Sequence, residues 1–219
     1  MFRDLVVAVP VLGRPRQVED MLDSLDETTP GCRVVFGCTP GDDDVIAVIT
    51  GRGREYVVVP RQQFGDYARK INTVASGTSE PWLFCGASDL IFRERWFEEA
   101  LALSGPGIGV VGTNDLGSQR VINGEHSTHS LVARWYIDVG TIDEPGKVLH
   151  EGYVHEFVDD ELVGTARHRG AYAHAHGAHV EHMHPDWGKG ESDDLYQMQR
   201  GRMRTSRRLY ARRRRLWEG

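Results

Sequence analysis

The sequence predicts an α/β fold, a mostly parallel sheet with helices on both faces, built as one domain. Three observations carry this. Short apolar runs of strand length alternate with amphipathic windows of helical spacing through the first half of the chain. Gly, Pro and Asp gather at the points where strand gives way to helix. A chain of 219 residues, 40% hydrophobic and 26% charged, also has the size and composition of a globular domain with a substantial core.

Residues 5–11 form a continuous apolar run, read as a buried strand. "GRPRQVEDMLDSL" follows, with Gly13 and Pro15 in the turn and Val18, Met21, Leu22 and Leu25 at helical spacing. The unit recurs as strand Arg33–Cys38 with helix 43–50, strand 56–59 with helix 67–75, and strand Trp82–Cys85 with helix 95–103, before a strand at 108–113. Ligands of such sheets bind beyond the carboxyl ends of the strands, which here means Gly13 and segments 39–44, 61–65 and 86–89. The second half is less regular. It offers strands at Ser130–Ala133 and 178–182, Gly/Pro turns around 140–146, and a helix at 157–169 with Phe157, Leu162 and Ala166 on one side. From residue 193 the chain reads as a helix that becomes arginine-rich, and no internal repeat is visible.

The net charge of -6 conceals an asymmetry: residues 200–215 hold nine arginines and no acid, while all ten histidines fall between His126 and His184. No window has the length and apolarity of a spanning helix, and the N-terminal run lacks the flanks of a signal peptide, so a soluble protein of the cytoplasm is expected. Cys32, Cys38 and Cys85 lie in apolar strand contexts without metal-type spacing and are read as buried, reduced thiols.

One stretch, "WLFCGASDLIF" at 82–92, interrupts an apolar run with small residues and a single acid, Asp89. A carboxylate between two hydrophobic runs is costly to desolvate unless it is paired, hydrogen-bonded or bound to a cation. Asp89 is therefore a satisfied structural acid or a ligand.

"VVAVPVLGRP", "RKINTVASGTSEPWLFCGASDLIF", "VHEFVDDELVGTARHRG" and "VEHMHP" occur in an order that resembles the GT-A glycosyltransferases of the inverting family 2 type, in the short form encoded by bacteriophages of actinobacteria. The resemblance covers roughly residues 4–190. It implies a domain at 1–195, with a nucleotide-sugar half at 1–113 and an acceptor and catalytic half at 114–195, followed by an arginine-rich helix or tail at 196–219.

What it implies for the site follows residue by residue. Asp89 falls where the family places its metal-binding DxD motif, here reduced to Ala87, Ser88 and Asp89. A divalent Mn²⁺ or Mg²⁺ held there neutralises the departing diphosphate, and the small residues admit a sugar or phosphate closely. His182, with His184 next, matches the late histidine that adds a metal ligand; His174, His176 and His179 are read as exposed or hydrogen-bonded. Asp159 matches the catalytic base of an inverting transfer, with Asp160 and Glu161 as acids favoured by the helix N-terminus.

Pro10, Val11 and Arg14 are expected around the base and ribose, with Asp42 near a uracil. The donor favoured is a UDP-sugar. Lys70 and Asn72 lie on the donor-side helix, Lys70 reaching the diphosphate or else lying on a solvated face. Asn114, Asp115, His129 and Trp187 are expected on the acceptor side, Trp187 as a stacking ring or a packing lid.

The acceptor implied by a phage-type enzyme is a hydroxymethylated pyrimidine in DNA, with the arginines of 200–215 on phosphates, or else a virion protein. The same tail can instead fold back on the acidic body. Two further readings stay open: an inactive nucleotide- or glycan-binding module, which the reduced metal motif suggests, and a nucleotidyltransferase, which the lack of a basic glycine-rich loop after the first strand disfavours.

Overall fold

The computed structural model describes residues 2–190 and 194–218, the side chains of 194–202 excepted. A curved sheet of eight strands runs through it: β1 (Leu5–Pro10), β2 (Arg33–Cys38), β3 (Glu55–Val58), β4 (Trp82–Cys85), β5 (Leu90–Phe92), β6 (Val110–Asn114), β7 (Ser130–Ala133) and β8 (Tyr172–His182), in the order β3-β2-β1-β4-β7-β6-β8-β5. The half holding β3, β2, β1 and β4 is wholly parallel, and β6 also runs parallel to β8. Antiparallel pairings join β7 to β4 and β6, and β5 to β8.

Helices α1 (Pro15–Thr28), α2 (Asp43–Gly51), α3 (Asp66–Ser76) and α4 (Trp96–Leu101) follow the early strands, as the alternating pattern predicts. Leu5, Val7 and Val9 point to one face of the sheet with Met21, Leu22, Ile49 and Trp96; Val6 and Ala8 point to the other with Ile71, Val74, Leu162 and Ala166. Two packed layers of helix therefore clamp a sheet whose strands are buried on both sides, which is why those strands read as unbroken apolar runs.

Two short helices, α5 (Gln119–Ile122) and α6 (Arg134–Val139), are too brief to leave a periodic signal. α7 (Val158–His168) matches the predicted helix. β8 begins at Tyr172, earlier than residue 178, and its register on β6 shifts between Gly112 and Asn114. Its inward residues Ala175 and Ala178 are small, and that shift breaks the simple alternation.

The arginine-rich segment forms α8 (Asp194–Arg213) and α9 (Arg215–Glu218), and these pack on the body instead of standing off as a free arm. Arg213 is buried and grips Glu161 of α7 at 2.7 and 2.8 Å and Asp143 at 2.6 and 2.9 Å. Val154 N–H donates to the buried Ser206 hydroxyl, Tyr210 stacks on Phe157, and Trp217 covers Gly164. Arg204, Arg207, Arg208, Arg212, Arg214 and Arg215 remain exposed, while the side chains of Arg200 and Arg202 lie outside the described residues. Of the two tail readings, the structure adopts the fold-back. Among the described residues no helix is long and apolar enough to cross a membrane.

Candidate active site

A cavity of about 610 Å³ opens beyond the carboxyl ends of β1 and β4, between the end of β8 and the start of α7. Pro10, Val11, Arg14, Lys70, Ala87 and Ser88 of the donor-side set line it. So do the metal set Asp89, His182 and His184, together with Asp159, His129 and Trp187. Asp42, Asn72, Asn114 and Asp115 lie outside it.

Strand pairing makes the first cluster. β4 ends at Cys85, and the chain crosses Gly86, where an added Cβ would sit 3.1 Å from the Ala8 carbonyl, before Leu90 pairs with His182 across the β5–β8 ladder. That register brings residues 93 apart in sequence together: Met183 N–H donates to the Asp89 carbonyl at 2.8 Å, and His182 Nε2 lies 3.4 Å from Asp89 Oδ2. The Asp89 side chain is only 9% exposed. His129 sits beside the pair, 5.0 Å from His182 between ring centroids, and its Nδ1 donates to the Cys85 carbonyl at 2.9 Å. Burial, reinforced by His182, pushes the His129 imidazole down to about 4, so it is neutral.

Two buried ring nitrogens here, His182 Nδ1 and His129 Nε2, have no hydrogen-bond partner among the described residues. A buried carboxylate with an imidazole beside it and unsatisfied nitrogen nearby suits a divalent cation that takes its other ligands from phosphate oxygens. His184 is employed differently. Its Nδ1 accepts the Asp186 N–H at 3.1 Å and so shapes the turn Pro185–Trp187. Trp187 lies edge-on to His182 at 5.1 Å and over Gly117, where a Cβ would stand 2.2 Å from the indole, so it packs as a lid on the histidine pair.

The second cluster forms at the N-terminus of α7. Phe157, with φ of 71°, turns the chain into the helix, and Asp159 and Asp160 follow in its first turn. Asp159 Oδ1 accepts the Asp160 N–H at 3.0 Å, and Asp159 Oδ2 lies 3.1 Å from His126 Nε2. The other nitrogen of His126 faces Asp160 Oδ1 at 3.8 Å, and Arg120 donates to that oxygen at 2.9 Å. Burial alone would raise the Asp159 carboxyl, but His126 outweighs it and holds the group below its usual range. Asp160 moves the other way, raised by burial and by Asp159. Burial opposes the charge on His126 too, yet Asp159 lifts its imidazole above the ordinary value.

Several of the expected residues also hold the scaffold together. Lys70 is buried, and its ammonium gives its protons to Val11 O at 2.7 Å, Thr39 Oγ1 at 2.8 Å and Asp66 Oδ2 at 3.0 Å, pegging the ends of β1 and β2 to α3. Gly37 is required beneath it, since a Cβ there would lie 2.6 Å from Lys70 Cβ. Asn72 ties α3 to the 149–151 loop through Leu149 and Glu151. Asp42 accepts the Thr39 N–H at 3.2 Å ahead of α2.

Asn114 bonds the His176 carbonyl and the Leu116 N–H, and Asp115 accepts from Gly117 N, Ser118 N and Thr128 Oγ1. These two hold the loop that seats Trp187. Glu161, read as a helix-end acid, is instead the buried partner of Arg213 and of the Tyr153 hydroxyl, at 2.7 Å. Sequence reasoning set His126 only within the acceptor-side segment 125–130, without a role of its own, and passed over Arg120. The acids reach them only in the fold, where Arg120 of α5 and His126 of the loop after it meet the first turn of α7.

No family model matches this chain, and no curated protein matches it. Solved structures do. Glucosyl-3-phosphoglycerate synthase from Mycobacterium tuberculosis, in complex with Mn²⁺, uridine diphosphate and glucosyl-3-phosphoglycerate, superposes with a TM-score of 0.61 at 16% identity, over 90% of this chain and 75% of that one. A mannosyltransferase from Pyrobaculum calidifontis, in complex with GDP-Man and Mn²⁺, superposes with a TM-score of 0.68 at 14% identity, over 96% of this chain and 64% of that one. This chain therefore has the GT-A glycosyltransferase fold, with its cavity at the strand ends.

Proposed function

We propose that this protein is an inverting glycosyltransferase that moves a sugar from a nucleoside-diphosphate sugar to a hydroxyl acceptor. The observation that carries the reading is one cavity, in this fold, that holds an acid–imidazole pair at Asp89 and His182 and an ionised acid at Asp159. Asp89 and His182 would hold Mn²⁺ or Mg²⁺, which supplies positive charge to the diphosphate as it leaves. Asp159 takes the proton of the acceptor hydroxyl. The acceptor oxygen then bonds to the anomeric carbon from the face opposite the diphosphate, and the electron pair of the breaking carbon–oxygen bond departs with the diphosphate.

Similar structures carry UDP-glucose or GDP-mannose, which makes these the first donors to try, with a UDP-sugar favoured. The test is nucleotide release from each donor with Mn²⁺ and with EDTA, followed by proton NMR of the sugar product. Release that needs the metal, with inversion at the anomeric carbon, supports the reading. Retention refutes the inverting step, and no release from any donor returns the inactive-module reading.

For the acceptor we propose a hydroxymethylated pyrimidine in DNA. The support is the outward face of α8, where Arg204, Arg208 and Arg212 recur at helical spacing, with Arg207 of the same helix lining the cavity. A mass gain on hydroxymethylated DNA, with binding that weakens steeply in salt, is the expected result. A virion protein that gains sugar while such DNA does not overturns it.

A further inference from the structure

His126 is buried, and both of its ring nitrogens are directed at carboxylates. The charged or titratable groups around it are Asp159 and Asp160 from α7, Arg120 from α5 and His174 from β8. Two consecutive acids at one helix end repel each other, and in this half-buried position a lone carboxylate tends toward its neutral form, which is useless as a base. The imidazole between them bonds Asp159, and Arg120 bonds Asp160. The backbone is braced as well, since His126 N–H and Glu125 N–H both donate to the Arg120 carbonyl and fix the main chain that carries the two side chains.

We propose that His126 is a positioning residue for the transfer, clamping Asp159 between helix α7 and the α5 loop so that its carboxylate meets the acceptor hydroxyl as an anion. This rests on the glycosyl-transfer reading with Asp159 as base. The proton balance is simple: the acceptor proton ends on Asp159, the electron pair ends on the diphosphate, and His126 keeps the proton it began with. The cost is some basicity at Asp159, and the return is that the base is present in its working form across the neutral range. The raised imidazole and the lowered Asp159 carboxyl agree in direction with this geometry.

The test is the pH profile of nucleotide release from UDP-glucose or GDP-mannose with Mn²⁺, water standing in for the acceptor, in wild type and His126→Gln. Without the imidazole, burial acts on Asp159 unopposed and its carboxyl rises. Activity that needs the anion is then lost at higher pH, so the variant's rate near pH 5 should fall about tenfold further below its plateau than wild type's does. The donor KM should stay within about twofold. A variant that is merely less stable, with the acid limb where wild type has it, overturns the proposal.

If His126→Gln does not fold, NMR titration of the histidine rings in wild type and Asp159→Asn decides the matter. The His126 imidazole should titrate lower once Asp159 is neutral, and an unchanged titration overturns the clamp. Full turnover in Asp159→Asn would instead remove Asp159 as base. That refutes the proposed mechanism, while the titration still reports on the His126–Asp159 contact by itself.

Discussion

At the α7 end of the cavity four ionisable side chains, Asp159, His126, Asp160 and Arg120, face one another in a connected network. At the β5–β8 end Asp89 faces His182 across 3.4 Å, with buried ring nitrogens of His182 and His129 that have no partner among the described residues. His126, Asp159 and Asp160 also lie close enough together to hold a cation, but Arg120 already bonds Asp160, and Asp159 raises the His126 imidazole above its ordinary value. The difference separates two kinds of polar site. A network that satisfies itself sets a protonation state, whereas a site with polar atoms to spare is suited to an added charge.

Substitutions that damage one end and spare the other test this contrast. The largest effect is expected at the base: Asp159→Asn keeps the shape and removes the basicity, so transfer should fall by about 10³-fold or more while calorimetry finds donor affinity nearly unchanged. A parallel loss of donor affinity would move Asp159 to a donor-positioning role. Next comes the support behind it. Arg213→Ala leaves Glu161 buried without its cation and should lower stability by about 3–5 kcal/mol, measured by denaturant unfolding, with Mn²⁺ affinity of the folded fraction untouched.

At the other end, Asp89→Ala should reduce transfer by about 10²-fold by weakening metal-dependent donor binding, and EDTA should mimic it in wild type. Turnover that is indifferent to EDTA would leave Asp89 a structural acid of the β4–β5 turn. The smallest effects divide the histidines: His182→Ala should weaken Mn²⁺ binding about tenfold by electron paramagnetic resonance, and His184→Ala by much less. The reverse order would show that the turn histidine is the ligand.

The α7 network also predicts how stability follows pH. Asp159 is lowered, so its contribution is present above the ordinary carboxylate range and is lost as pH falls through the folded value. His126 is raised, so its contribution is present below the ordinary imidazole range and is lost as pH rises through the folded value. Thermal unfolding should therefore be highest between those limits, and Asp159→Asn should flatten the maximum.

Legibility differed between the two halves for physical reasons. Strands buried on both faces and helices with one apolar stripe repeat at periods visible in sequence, so β1 to β4 and α1 to α4 were readable within a few residues. Asp89 was conspicuous because an acid inside an apolar stretch demands a partner, and Asp159 because it begins a helix in a familiar order of motifs. Lys70 misled. A lysine on a helix reads as solvated or ligand-bound, and nothing local reveals that the ends of β1 and β2 converge on its ammonium. The arginine-rich tail left two readings open, because its composition advertises charge, while Ser206, Tyr210, Arg213 and Trp217 recur at the spacing of an inward face.

By itself the sequence determined the alternation of strand and helix, the strand ends at which a ligand must bind, and the two acids on which the chemistry is proposed to turn. These are local properties, set by side-chain periodicity and by the cost of an acid among apolar neighbours. Tertiary structure alone decided which groups meet those acids. The β5–β8 register set His182 against Asp89, the placing of α5 and its following loop beside the start of α7 put Arg120 and His126 against Asp160 and Asp159, and the return of α8 spent Arg213 on Glu161. Each is a contact between groups 33 or more residues apart, determined by strand register and helix packing and therefore absent from any short window of the chain.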